Sequence, residues 1–403
     1  MADATVNQSA SKPALLAAPD AKKPPSSSQL VEVARQCNVS PVRQMREMFA
    51  LNRGRGRVHL QEYYSQRLFD PALSMDKKRQ FVGELGSKKL NDKLSPFKGT
   101  PIRTFLRDKV MYSNLITQLG FRSTVTQAVA IAGRGFGAIP ALSDAAAVEA
   151  FLRHDARFPL FSKPVEGSGS IGSALILGCE GDMLKLGNGR EVAIAELCHE
   201  IFELFPDGFL FQDAVTQHEM LTRIAGPAIG SIRVVTLRDE EVPSLLYALW
   251  KIPSPNAMSD NFWQEGSMLA PVDKDTGALG LCRIGAGLKM QQSETHPVSA
   301  EQICGETLPF WDDIRETACK AHELFPEVGV LGFDIALTPD GPLIIEANCN
   351  PHHSLYSLAT GQGVYNSDFA PRLDAAIVRS KEMHKATFKL GIEREKRRLG
   401  LKR

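Results

Sequence analysis

The sequence predicts an α+β protein with a helical N-terminal extension, and three observations carry that reading. Strand-like segments follow one another with turns between them: GFLFQDAV at Gly208–Val215, SIRVVTL at Ser231–Leu237 and PSLLYALWKI at Pro243–Ile252. Helical segments are few and irregularly placed, so the regular β-α alternation of a doubly wound sheet is missing. Leu331–Pro351, LGFDIALTPDGPLIIEANCNP, reads as two strands joined by a tight turn. Its centre, Thr338-Pro339-Asp340-Gly341, is turn chemistry: proline presets φ and glycine tolerates φ > 0.

In chain order, residues 1–28 are rich in Ala, Ser, Pro and Lys without periodicity and predict a disordered tail. Residues 29–99 have a helical pattern, with Met45, Met48, Phe49 and Leu51 as candidates for one face. RGRGR at Arg53–Arg57 reads as a solvated loop, because no aromatic residue interleaves the arginines. Residues 100–158 read as the N-terminal lobe of the C-terminal region. They comprise a helix over Phe105–Gly120 stopped by its glycine, a strand within Phe121–Ala132, and a helix Asp144–His154 capped by Ser143 or Asp144. Residues 159–215 form a small subdomain: strand, glycine-rich loop and strand over Pro159–Leu177, turns at Glu180–Asp182 and Gly187–Gly189, a helix Ala193–Leu204, and the strand Gly208–Val215. Residues 216–371 form a larger subdomain. It has the strands named above, a loop Asp260–Ala270, a turn Asp273–Gly277, a helix Trp311–Phe325 and the hairpin. Residues 372–403 read as a charged helix.

The 403 residues suffice for two or three compact units. With 47 Lys+Arg against 46 Asp+Glu the net charge is +1, which argues against nucleic acid or an anionic membrane as principal partner. No window approaches a transmembrane span, and Met1–Ser28 lacks the apolar core of a signal peptide. The seven cysteines are scattered and never spaced C-x-x-C, so they read as reduced thiols of a cytoplasmic protein. Cys349, between Asn348 and Asn350, reads as a packing residue. The oligomeric state is not set by the sequence, and a homo-oligomer is compatible with it.

Several residues could do chemistry. Twelve positions separate Asp334 from Glu346, with the turn near the midpoint, so a hairpin brings the two carboxylates side by side. Asn348 follows Glu346 by two and shares its face. Such an oxygen-only cluster suits Mg²⁺, which takes a few carboxylates together with waters and phosphate oxygens. Lys163 ends an apolar strand and precedes Glu166-Gly167-Ser168-Gly169-Ser170-Ile171-Gly172. Backbone N–H groups of a loop without bulky side chains can wrap phosphate oxygens, and the lysine adds charge. Gln212 and Asp213 end a strand and can meet a base and a ribose, with Glu219 as the other ribose candidate. Arg233, mid-strand between Ile232 and Val234, needs an anionic partner, for which phosphate or carboxylate would serve. Lys251 ends the following strand, and Asp260-Asn261-Phe262 with Gln264-Glu265-Gly266 forms a polar loop that can meet substrate. His352-His353 lacks a third ligand and reads as structural.

Together PLFSKPVEGSGSIG, FLFQDAV with QHEML, SIRVVTLRD, DNFWQEGSMLAPVD and GFDIALTPDGPLIIEANCNP resemble, in order, the ATP-grasp superfamily, and specifically its sugar-transfer-associated family. The resemblance covers about residues 100–360. It implies ATP clasped by two α+β subdomains, with Lys109 and Lys163 on the phosphates and Gly167–Gly172 as a flexible loop over them. It further implies Gln212 and Asp213 at the adenine pocket, and Asp213 or Glu219 on the ribose. Arg233 and Lys251 would be catalytic, Arg233 stabilising the transferred phosphoryl group, and Asp334, Glu346 and Asn348 would bind Mg²⁺. Asp213 stands where the family often has Glu. The implied activity is an ADP-forming ligase that activates a carboxylate as an acylphosphate and joins it to an amine or other nucleophile, with small-molecule carboxylate and amine (or sugar-linked) substrates as partners. The alternatives are an ATP-dependent small-molecule or sugar kinase on the same fold, and a non-catalytic nucleotide-binding module in surface-polysaccharide assembly.

Overall fold

The computed structural model describes residues 26–96, 102–166, 172–255, 257–260 and 265–399. Most of the expected tail, the loop residues Gly167, Ser168, Gly169 and Ser170, and Asn261 and Phe262 lie outside them. The chain divides into two compact units at 124/125 and 214/215, so the segment 100–158 is shared between them. Among the described residues no helix is long and apolar enough to cross a membrane.

The first unit spans Val125–Ala214 and Ala257–Ser259 among the described residues. Its strands are β1 (Thr126–Ala130), β2 (Ala141–Leu142), β3 (Leu160–Pro164), β4 (Ala174–Glu180), β5 (Met183–Leu186), β6 (Glu191–Ala193) and β7 (Phe209–Asp213). They form one sheet in the order β2-β1-β7-β3-β4-β5-β6, antiparallel except for the pair β1–β2. Strand alternation puts Leu160, Phe209 and Phe211 on one face, where they pack with Phe151, Leu197 and Ile201 from two helical segments. The opposite face carries Lys163 and Gln212. The expected helix Asp144–His154 is α only over Ala145–Ala150 and finishes as a π turn, Phe151–Asp155. Its cap is Asp144, which accepts from Ala147 N at 2.9 Å.

The second unit comprises the described parts of 22–124, 215–256 and 260–403. Its strands are β8 (Ile232–Leu237), β9 (Ser244–Ile252), β10 (Met268–Val272), β11 (Cys282–Ile284), β12 (Gln291–Ser293), β13 (Val330–Thr338) and β14 (Gly341–Asn348). They form an antiparallel sheet in the order β12-β11-β10-β9-β8-β13-β14. One face buries Ile232, Val234, Trp250, Phe333 and Ile335 against helices that include Trp311–Glu323. The other buries Val235, Tyr247, Leu249 and Leu269 against Ser354–Thr360 and Phe369–Arg398. Burying each large apolar side chain contributes on the order of 1.5–3 kcal/mol.

Several elements depart from the sequence expectation. β10 lies partly in the expected loop, and β11 and β12 were not anticipated. β10 contains Pro271 and β12 is Gln-Gln-Ser, so neither shows the apolar alternation that marks a strand. The helix expected over Phe105–Gly120 is two helices, Ile102–Arg107 and Lys109–Gln118. Asp108 breaks it, accepting from Val110 N at 3.1 Å and Met111 N at 3.0 Å as a new N-cap. The helix Ser354–Thr360 was also missed.

In the N-terminal helices, Met45 and Phe49 are 57 % and 60 % exposed, whereas Met48 and Leu51 are buried. Helical spacing turns Gln44, Glu47, Met48 and Leu51 inward, so two of the core-facing positions are polar. Glu47 accepts from Lys78 Nζ at 2.7 Å, Tyr63 Oη at 2.7 Å and Arg43 Nε at 2.9 Å, and Lys78 is wholly buried. Burial opposes the Glu47 charge, but these bonds and the Lys78 charge hold its carboxyl below the usual range. The Lys78→Met variant leaves a buried carboxylate with one fewer cation and should lose about 3–5 kcal/mol in urea denaturation. Because the folded pKa is depressed, the stability Glu47 contributes is present above pH 4.5 and lost as pH falls below it. An acid titration of wild-type stability should show that loss, and Glu47→Gln should reduce it.

Candidate active site

The register of the second sheet builds a charged row. Arg233 on β8 stands opposite Asp334 on β13, which stands opposite Glu346 on β14. Arg233 is paired across the other edge of β8 with Leu249, and Lys251 lies two residues beyond that partner on β9. Alternation therefore sends Lys251, Arg233, Asp334 and Glu346 to one face, with Asn348 two residues beyond Glu346. Gly332, two residues before Asp334, carries no side chain for a reason of space. A Cβ there would lie 2.8 Å from Pro351 Cβ and 3.6 Å from Arg233 Cδ.

Asp334, Arg233 and Lys251 are all more than nine-tenths buried. Arg233 clasps Asp334 with two hydrogen bonds, Nε to Oδ1 at 2.6 Å and Nη2 to Oδ2 at 3.0 Å. Lys251 Nζ donates to Asp334 Oδ2 at 3.2 Å and stands 3.0 Å from Asp260 Oδ2. Asp260 also accepts from Ser231 N at 3.2 Å and from the Ser231 hydroxyl. Burial alone would raise the Asp334 carboxyl, but the Arg233 and Lys251 charges outweigh it and hold it well below the carboxylate range. Burial works against the charge of Arg233, which Asp334 and Glu346 restore, and against that of Lys251, which Asp260 and Asp334 restore.

The donor chemistry of Asp334, Glu346 and Asn348 fits Mg²⁺ in part. Glu346 accepts from Asn348 Nδ2 at 2.9 Å through Oε1, which leaves Oε2 and the Asn348 carboxamide oxygen for a cation. Both oxygens of Asp334 accept from cationic side chains, Oδ1 from Arg233 alone, so a metal here would share the carboxylate with Arg233 and Lys251. Among the described residues no group of three His, Cys, Asp or Glu side chains could hold a metal, so any site here depends on the carboxamide.

The other expected residues fall as follows. Lys163 and Gln212, both buried, share a face of the first sheet, on neighbouring strands. Asp213 points to the opposite face, where it accepts from Arg157 Nη2 at 2.9 and 3.2 Å and Gln127 Nε2 at 2.8 Å. Gly172 has φ +77°, and a Cβ there would press on Phe205 at 2.6 Å. Lys109 opens the helix behind the Asp108 cap, and Glu219 is exposed at the first position of the helix Glu219–Ala225.

Sequence reasoning gave Asp260 no role beyond a polar loop, because its partner, Lys251, is reached only in three dimensions. It also missed the support behind the row. His353 Nε2 donates to Asn91 Oδ1 at 2.9 Å, and Tyr247 Oη donates to His353 Nδ1 at 3.0 Å. Asn91 Nδ2 in turn donates to Asn350 Oδ1 at 2.7 Å and to Pro351 O at 3.1 Å. Burial, with His352 and Arg233 nearby, pushes His353 down to about 3, so it stays neutral. Cys349 is buried in the core on the other face, as a packing residue should be.

The Asp334→Asn variant leaves Arg233 and Lys251 buried without their shared anion. It should lose about 3–5 kcal/mol in urea denaturation at neutral pH. The depressed folded pKa gives stability that is present above pH 3.8 and lost as pH falls through the folded value, so the acid limb of the wild-type stability curve should flatten in the variant.

The sequence pattern of the sugar-transfer-associated ATP-grasp family matches residues 94–370. No curated protein matches the chain. Similar solved structures include the D-alanine–D-alanine ligase from Coxiella burnetii, at 13 % identity and TM-score 0.41, covering 72 % of this chain and 62 % of that one. The L-amino acid ligase from Bacillus licheniformis is similar at 14 % identity and TM-score 0.35, covering 67 % and 47 %. The ATP complex of the Bacillus anthracis D-alanine–D-alanine ligase is similar at 10 % identity and TM-score 0.38, covering 70 % and 69 %. The chain thus spans less than two thirds of the length of the first two. With more than half of its length matched by the family pattern, the chain belongs to the sugar-transfer-associated ATP-grasp family and has the ATP-grasp fold.

Proposed function

We propose that the chain is an ATP-dependent, ADP-forming ligase. A carboxylate oxygen of the substrate attacks the γ-phosphorus of ATP, the bond to the ADP oxygen breaks, and an acylphosphate forms. An amine or sugar-linked nucleophile then attacks the acyl carbon, loses its proton and displaces phosphate. The observation that carries this reading is the row Lys251–Arg233–Asp334–Glu346–Asn348, buried and cationic at one end, half-buried and oxygen-rich at the other, in a member of an ATP-grasp family.

In this reading Lys163 takes phosphate oxygens, with Lys109 and the residues Gly167, Ser168, Gly169, Ser170 and Gly172 assisting. Gln212 meets the adenine, and the ribose falls to Glu219 or Asp213. Asp213 is already engaged by Arg157 and Gln127, which favours Glu219. Glu346 and Asn348, with Asp334, hold Mg²⁺, which when bound supplies charge neutralisation on the phosphates. Arg233 stabilises negative charge developing on the transferred phosphoryl group, held rigid by Asp334 so that little reorganisation is needed. Lys251, fixed between Asp260 and Asp334, adds a second positive charge to the same region. Exclusion of water matters because a wet acylphosphate hydrolyses. The family's description ties it to sugar transfer, so sugar-linked acids and amines are the substrate class to screen first.

The test is ATP-dependent phosphate release across such acids and amines, with hydroxylamine added to trap an acylphosphate as a hydroxamate. Release of ADP and phosphate with a trapped adduct is expected, and chelation of Mg²⁺ should abolish it. A stable phosphorylated product would mark a kinase, and nucleotide binding without consumption would mark a module without turnover. Glu346→Ala and Lys163→Met should each reduce turnover by at least about a hundredfold while melting near the wild type, since neither removes a large apolar contact. Full activity in either variant would contradict the assignment of that residue.

A further inference from the structure

A pocket of about 380 Å³ opens in the second unit, away from the charged row. The helix Ser354–Thr360 lies over β10, packing Leu358 and Ala359 with Leu269. The row begins at β9 on one side of it, and the pocket is walled by Arg283 of β11 and Gln292 of β12 on the other. The opposite wall comes from the N-terminal helices, outside the family-matched residues, and includes Gln66, Arg67 and Phe81.

Two guanidinium groups line this one pocket. Arg283 Nη2 donates to Thr360 O at 3.0 Å and lies against Gly361, where at φ +72° a Cβ would come within 2.5 Å of that nitrogen. The glycine thus makes room for the arginine. Arg67 follows Gln66, the C-cap of the helix Leu60–Ser65, with φ 55°, the left-handed region that commonly closes a helix and that residues other than glycine and asparagine seldom adopt. Burial and the charge of Arg67 both make Arg283 harder to keep protonated. No carboxylate among the described residues pairs with either guanidinium. Asp70 lines the pocket too, but its carboxylate caps Ala72 N at 2.9 Å.

The wall also holds two unsatisfied polar atoms. Gln66 and Ser357 are 93 % and 98 % buried, taking their relative exposures of 7 % and 2 %, and Gln66 Oε1 and Ser357 Oγ have no hydrogen-bond partner among the described residues. The Gln66 amide is oriented by its Nε2, which donates to Val82 O at 3.1 Å, so Oε1 is left as an acceptor. Ser357 Oγ is free to donate. Leu73, Met290 and Leu358 complete the wall with apolar surface.

We propose that this pocket binds a small organic anion whose carboxylate or phosphate group is held by Arg67 and Arg283, on a short body that is partly apolar. Guanidinium forks match either head group. The volume suits a small ligand, and the wall offers polar and apolar surface in about equal measure, as an anion on a partly apolar body requires. Ser357 adds a donor to the oxyanion, and Gln66 takes a hydroxyl or amine on the body. The site is separate from the charged row and does not depend on the ligase reading.

Calorimetric titration of the full chain with benzoate and with phenyl phosphate, against neutral benzamide, tests this. At least one anion should bind one-to-one while benzamide does not, and the preferred anion identifies the head group. Arg283→Gln and Arg67→Gln should each weaken that binding by at least about tenfold. Arg283→Lys, which keeps the charge and loses the fork, should fall between. Arg394→Gln, at an exposed position of the C-terminal helix, should leave binding unchanged. Among the described residues neither arginine of the pocket has an ionic partner to strand, so both variants should unfold near the wild-type midpoint. The proposal is overturned if neither anion binds up to about 10 mM, if benzamide binds equally well, or if binding survives both pocket variants.

Discussion

The second sheet is organised around one buried carboxylate held between two cations. Asp334 sits opposite Arg233 with Lys251 beside it, and all three are nearly inaccessible to water. Any one of them alone would be expensive to bury, and together they are tolerated because each desolvated charge meets an opposite one with good geometry. This explains how an arginine can stand in the middle of an apolar strand. It also pins the register: a slip of one residue would send Asp334 to the apolar face packed by Trp311–Glu323 and bring Phe333 into the charged row.

The same device recurs in the N-terminal helices, where Glu47 is held by Lys78, Tyr63 and Arg43. These helices also reach the charged row. Ser87 and Asn91 bond the loop 350–353 that follows Asn348, through His353 N, Asn350 and Pro351. The loop leaving Asn348 is thus held by side chains that precede the family-matched region. In this protein the extension is a structural support for the candidate site, and no local pattern in residues 29–99 indicates it.

The first unit divides its candidates by strand parity. Lys163 and Gln212 fall on the face away from the helices, whereas Asp213 falls on the helix side with an ion pair of its own. Adjacent residues of one strand send their side chains to opposite faces, so the Gln212 and Asp213 side chains do not meet on one face of this sheet. Glu219 is exposed at a helix N-terminus, where negative charge is favoured, and so has an ordinary structural reason to be there.

By itself the sequence determined what local pattern and turn chemistry control: the α+β class, most strands, the hairpin, and the pairing of Asp334 with Glu346 with Asn348 on their face. Period-two alternation and a Pro-Asp-Gly turn act over a few residues and can be read there. The tertiary structure decided what those charges meet. Arg233 was seen to need an anion, but its partner is 101 residues away, and the Lys251–Asp334 pair spans 83. The polar or proline-containing strands β10 and β12 form because neighbouring strands pair with them, and their side chains carry no signal of it. The pocket of Arg67 and Arg283 likewise exists only where a helical extension meets a sheet edge. Burial and long-range charge pairing are properties of the assembled chain, because the desolvation that makes them matter is created only when distant segments exclude water together.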